Sequence, residues 1–310
     1  MNVDHEISIE SKVPAHHGRR LSLPNAIIRV TCVHVAVGLA TLLAYLLSKN
    51  ETWIRVYFDY AGALFFLVFG GLELFLVVLA RRQFYVDEPL RKAWSFIMLA
   101  SVVRWVGLVF ANWFSVPSYI NPLFYFVQPW EAQTAVSLKE FGLLLGPIHM
   151  LLLAVGLGVV LRLYKRLGIL TDLKPFDYFL LALVLGFTLR QGHQIYQLVA
   201  QANDRVTLTA ILNWVTDPLL SCLLVEAVLI RRAVLSMGWG LISKSWGAYT
   251  AAIFLTSLAH MITWADRYGY IPWQTGAIAW YLWFALTAAY ALGPAYQLQA
   301  SIRAKEQLRT

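Results

Sequence analysis

The chain has 310 residues, 59% of them hydrophobic, with 17 acidic residues against 25 Lys and Arg and a net charge of +8. So apolar a composition excludes a disordered chain and leaves no polar stretch long enough for a soluble domain. The positive charge is scattered over short connections between apolar runs, which excludes a nucleic-acid patch and points instead to membrane topology.

A helix rises about 1.5 Å per residue, so crossing a hydrocarbon core of about 30 Å takes roughly 20 apolar residues. Residues 1–25 are mixed polar, include His16 and His17, and hold no apolar segment before a cleavage site. They read as a solvated cytoplasmic tail, with the first helix acting as the insertion signal. Eight spans are expected after it, at about 27–48, 60–81, 94–114, 141–163, 176–200, 207–230, 246–266 and 276–299. Val30–Ser48, Phe141–Leu161 and Ser245–Ala265 contain no Asp, Glu, Lys or Arg. Tyr60–Ala80 contains only Glu73, Ala93–Phe114 only Arg104, Tyr178–Asn203 only Arg190, and Val206–Ile230 contains Asp217 and Glu226. The expected fold is all-α: one polytopic transmembrane bundle over residues 26–302, with eight membrane-spanning helices and a second cytoplasmic tail at 303–310.

With the amino terminus inside, 18 of the 25 Lys and Arg fall in the tails and inside loops, five fall outside, and Arg104 and Arg190 lie within spans. That asymmetry places both termini in the cytoplasm and the chain in a plasma membrane, the inner membrane of a bacterial cell. The long outside segment Ser115–Glu140 carries Tyr119, Phe124, Tyr125, Phe126 and Trp130 between Pro117, Pro122 and Pro129. It reads either as an interfacial aromatic belt or as a lid over an outward-facing cavity. Arg81-Arg82 before Lys92-Ala93-Trp94 is echoed by Arg231-Arg232 before Lys244-Ser245-Trp246. The echo suggests a four-plus-four duplication, although inside loops gather Arg, with Trp at the next interface, in any case. Cys32 and Cys222 fall inside helices and suggest no disulfide framework.

Polar residues concentrate in the later spans. On helix five, Arg190, His193, Gln194, Gln197 and Gln201 share one face, as do Thr209, Asn213, Asp217 and Ser221 on helix six, and Thr256, Ser257, His260 and Thr263 on helix seven. Counted from the outer helix ends, His193, Asn213 and His260 lie roughly 10 Å deep, His149 on helix four roughly 12 Å, and Arg190 and Asp217 roughly 15 Å. Such groups are costly against lipid, so they should turn toward a common interior. Matched depth on consecutive antiparallel helices predicts two ion pairs, Arg190–Asp217 and Glu73–Arg104. Gly146-Pro147 and Asp217-Pro218 break helices near this layer, and Gly293-Pro294 does so near the inner end of helix eight. Gly142 and Gly146 allow close helix approach. Glu226 should snorkel to water beside Arg231 and Arg232. His34 reads as structural.

These features support a small-ligand binding protein of the transporter or sensor type, with Arg190, His193, Gln194, Gln197, Asn213, Asp217, His260 and His149 lining the site. That reading requires no cofactor or metal ion. The alternatives are a redox protein holding b-type haem between two of His149, His193 and His260, with electrons passing to quinone, and a structural membrane subunit. The structural subunit would use its stripes as helix glue against a second copy or a partner chain. There is no His-Glu-x-x-His, no Gly-x-Ser-x-Gly, no paired Asp motif of prenyl transfer and no glutamate-rich protease signature, so an enzyme is disfavoured. The expected partners are the bilayer and an unidentified small molecule, with no nucleic acid.

Overall fold

The computed structural model describes residues 22–48, 57–110, 132–170, 172–201, 208–236, 238, 240–267, 270–271 and 278–307. Among them every regular element is helical. The eight α-helices are α1 (Leu23–Ser48), α2 (Ala63–Arg81), α3 (Pro89–Leu108), α4 (Ala132–Arg166), α5 (Pro175–Gln201), α6 (Leu208–Ser236), α7 (Leu241–Arg267) and α8 (Ile278–Gln307). A π-helical turn over Tyr57–Gly62 leads directly into α2. By length and composition, four segments are able to cross a membrane: Leu23–Ser48, Tyr60–Arg81, Leu144–Arg166 and Ile278–Gln307.

The local signals are simple. Pro89 starts α3 at a position where its missing N–H costs nothing. Gly168, at φ 66°, ends the turn after α4 in the left-handed region that glycine tolerates. Several boundaries differ from expectation: α3 and α7 start early at Pro89 and Leu241, α6 runs on to Ser236, and α8 runs to Gln307, into the expected tail at 303–310. α4 begins at Ala132, nine residues before the apolar window at 141, because Ala132–Glu140 is a good helix-forming stretch despite its polarity. The rest of the proposed belt or lid, residues 115–131, lies outside the described residues.

Six helices form a closed ring in the order α2, α3, α4, α6, α7, α8, with α8 returning to α2. α1 lies outside it against α8, and α5 packs chiefly on α6. Neighbouring contacts fix directions. Gly70 meets Trp105 and Arg81 meets Ser95 across α2 and α3, Gly107 meets Gly142 and Ala93 meets Gly156 across α3 and α4, and Ser245 meets Gly293 and His260 meets Trp283 across α7 and α8, so each of these pairs is antiparallel. His34 stacks at 4.2 Å on Phe65 and meets Phe284 edge-on at 4.5 Å, while the Tyr57 and Tyr281 hydroxyls donate to the carbonyls of His34 and Gly38. These contacts run α1 antiparallel to α8, so α1 starts at the end of the bundle where α8 finishes. At that end Lys305 Nζ donates to Gln83 Oε1, 2.8 Å away, and Arg81 Nε donates to Ser95 Oγ.

The ring repeats itself. α2, α3 and α4 have the same order of neighbours as α6, α7 and α8. Gly156 of α4 is packed by Ala93 and Ile97 of α3, and Gly293 of α8 by Ser245 and Tyr249 of α7, four residues apart in each case. Trp94 and Trp246, the aromatic residues of the sequence echo, are both fully buried and meet across the ring with centroids 6.0 Å apart. Trp94, Trp246, Tyr249, Leu153, Leu157 and Ile253 fill the centre, so the ring is a packed core.

Candidate functional site

One turn or two from those tryptophans, the ring holds a layer of buried polar groups. Glu73 of α2 is 2% exposed and forms an ion pair with Arg104 of α3, whose side chain is 9% exposed. Glu73 Oε1 also accepts from Ser101 Oγ at 2.8 Å. The other arm of the guanidinium crosses to α8, where Arg104 Nη2 donates to Thr287 Oγ1 at 2.9 Å. Thr287 spends its own proton on the Trp283 carbonyl, which leaves a lone pair for Arg104. The guanidinium carbon sits 4.5 Å over the Tyr290 ring, a cation–π contact. Arg is suited to this seat, because its planar fork serves two acceptors while its face stacks on a ring.

The remaining members come from α4 and α7. His149 is buried edge-on to Tyr290, with centroids 5.9 Å apart. Its Nδ1 lies 3.0 Å from the Ala100 carbonyl. A carbonyl only accepts, so Nδ1 carries the proton and Nε2 is left with its lone pair. The Tyr290 hydroxyl lies against Thr256. Tyr249 packs on Tyr290, and its buried hydroxyl has no hydrogen-bond partner. Pro294 lacks the N–H that would reach the Tyr290 carbonyl four residues back. Five helices thus contribute to one layer that spans both three-helix units.

The sequence-derived site fares differently from residue to residue. The structure brings Glu73 and Arg104 together. His149 joins this layer instead of one with His193 and His260. The His260 ring meets Trp283 at 5.3 Å, and the His149 ring meets Tyr290, seven residues further along α8. That is about 10 Å of axial separation, so these two histidines do not share a depth. Contacts with α3 set the level of His149: Gly107 lies opposite Gly142 and Leu145, which brings the Ala100 carbonyl opposite His149. His193 is exposed rather than inward, because α5 lies outside the ring and turns only part of its surface to α6. Arg190, Gln194, Gln197, Asn213 and Asp217 lie on α5 and α6, but their side chains, and with them the Arg190–Asp217 pair, lie outside the described residues. Glu226 is half-buried: its Oε2 is buried without a partner, and Oε1 is turned toward Gly158 of α4.

Ser101, Tyr249, Thr287 and Tyr290 were absent from the sequence-derived site. Thr287 and Tyr290 are three residues apart on one helix face, a spacing that could have flagged them, but Tyr reads as apolar in any hydropathy count. Among the described residues, no group of three or more His, Cys, Asp or Glu is arranged to hold a metal ion. Cys32 and Cys222 are exposed free thiols. No protein-family model, curated protein or solved structure matches this chain.

Proposed function

We propose that the chain is a multi-pass protein of the plasma membrane, the bacterial inner membrane, with eight spanning helices and cytoplasmic termini, and that its polar layer binds a small polar ligand for transport or sensing. Several observations support the membrane part. Four helices have the length and apolarity to cross, the lysines and arginines gather at alternate ends, and α1 begins where α8 finishes. The ligand part rests on one observation: Arg104, buried, divides its donors between Glu73 in one three-helix unit and Thr287 in the other. Ionisable groups held inside a membrane bundle are expensive, and they mark binding and relay sites. A ligand with an anionic or carbonyl group would compete with Glu73 for the same fork.

The test is a thermal-shift screen of the purified protein against small anions, amino acids, sugars and nucleobases. Stabilisation by one class, absent in Arg104→Lys, supports the layer as the site. Its absence in Arg190→Ala or Asp217→Ala would move the site to the α5–α6 stripe. No stabilisation by any class would refute ligand binding. The filled ring interior favours one second reading, a structural subunit whose ion pair is helix glue, with a second copy or a partner chain on its outer faces. The haem reading needs two imidazoles at one point. The described histidines do not supply them.

A further inference from the structure

A second carboxyl group, half-buried at the contact of α4 and α6, takes no part in the polar layer. Glu226 of α6 turns toward α4, where its Oε1 is 3.3 Å from the place a Cβ would take at Gly158. Glycine at 158 therefore leaves the room that the carboxyl fills. Oε2 is buried and has no hydrogen-bond partner. A carboxylate stripped of water on one oxygen, with no donor in exchange, is stabilised by taking up a proton.

The first unit provides a contrast. α6 occupies in the second unit the place that α2 occupies in the first. Glu73 of α2 has a cation from the next helix, Arg104. By the correspondence of Ala93 and Ile97 with Ser245 and Tyr249, the position on α7 equivalent to Arg104 is Thr256. The second unit therefore has no cation at the Arg104 position, and Glu226 is not the counterpart of Glu73: with Arg81-Arg82 set against Arg231-Arg232, that counterpart is Leu223, and Glu226 faces α4. The charged and titratable groups nearby are otherwise placed. On α6, Arg231 is exposed and Arg232 Nε lies 3.7 Å from Asp177 Oδ2 of α5. On α4, Arg162 is exposed and Tyr164 bonds Trp246. On α7, Lys244 is exposed, Thr250 donates to the Ala227 carbonyl, and Tyr249 belongs to the polar layer.

We propose that Glu226 is a proton-binding site of the bundle, neutral in the packed state and exchanging its proton with water at the Arg231–Arg232 end of α6. The step is the addition of one proton to one carboxylate oxygen and needs no other reactant. It stands apart from the ligand reading, since it rests on the α4–α6 contact alone.

Infrared titration of the full chain in lipid nanodiscs tests it. A carbonyl stretch of a protonated carboxyl should persist above the range in which ordinary glutamates lose theirs, about pH 4.3, and be lost reversibly as the pH is raised further. Glu226→Gln should abolish that titrating band, and Glu73→Gln should leave it. Glu226→Asp, which withdraws the group from Gly158 by one methylene, should shift the midpoint and keeps the test open if the Gln variant does not fold. A titrating band that survives in the Glu226 variants, or the absence of any titrating carboxyl band in the wild type, overturns the assignment.

Discussion

Glu73→Ala is the sharpest perturbation of the layer. It removes the acceptor of one arm of Arg104 and of Ser101 while leaving the guanidinium inside the ring, 9% exposed. Thr287 and the Tyr290 face remain, but neither carries a negative charge. Breaking a buried pair in this way costs about 3–5 kcal/mol, because an uncompensated charge stays behind. For a chain of this size that is a fall in Tm on the order of 10 °C. Removing both charges with well-fitting apolar groups, Glu73→Leu with Arg104→Met, should recover most of the loss. Thr287 already bonds the Trp283 carbonyl, and Ser101 is able to turn to its own helix backbone, so few polar atoms are orphaned. Thermal unfolding of the wild type, both single variants and the double variant in one detergent gives the coupling between the sites. A single variant within about 1 kcal/mol of wild type, or a double variant no better than the worse single one, would refute the idea that the pair is a desolvated charge balance.

Further outcomes follow from other contacts. Gly293→Ala would press a methyl group into the Tyr249 ring and should cost about 1–3 kcal/mol, whereas Gly247→Ala, with nothing within 4 Å of the new Cβ, should be neutral or gain up to about 1 kcal/mol in the same unfolding assay. The absorption spectrum of purified protein, with and without dithionite, should lack a Soret band; a band that shifts on reduction would restore the haem reading. In a background with Cys32 and Cys222 replaced, Ser11→Cys and Gln307→Cys should react with an impermeant thiol reagent only after the cytoplasmic side is opened, and Ser118→Cys before it. The opposite pattern would invert the proposed topology.

Helix positions were legible because apolar windows of sufficient length have few alternatives to a helix, and the eight helices fall on the eight windows. The Glu73–Arg104 pair was legible for a related reason: two charges at one depth on consecutive antiparallel helices have only a short loop to bridge. Whatever depended on which helices are neighbours was not legible. Of the α5 stripe the described residues show only His193, which is exposed, and nothing local to residues 175–201 encodes that α5 lies outside the ring. Thr287 and Tyr290 reach Arg104 from 183 or more residues away in sequence, and no short-range pattern announces such a contact. The level of His149 follows from its packing on α3, with Ala100 opposite it, and no count from the end of an apolar window contains that contact.

The repeated ring also gives a reason for the position of the charges. Two three-helix units meet along two seams, α8 against α2 and α4 against α6. Apolar seams such as Phe66 on Phe284 tolerate a slip of one turn, because one apolar surface replaces another. The Arg104 seat does not. A slide of α8 by about 5.4 Å would carry Thr287 and Tyr290 away and leave the guanidinium half-satisfied inside the ring. The first seam is therefore held in one register, while the second, with Glu226 against Gly158, has no cross-seam charge pair among the described residues. Local opening should fall on the second seam. Hydrogen exchange in nanodiscs should then show weaker amide protection on the facing sides of α4 and α6 than on α2, α3 and α8. Charge neutralisation by Glu73→Leu with Arg104→Met should narrow that difference. Equal protection along both seams in the wild type would show that the ion pair does not set the register, and that packing alone closes the ring.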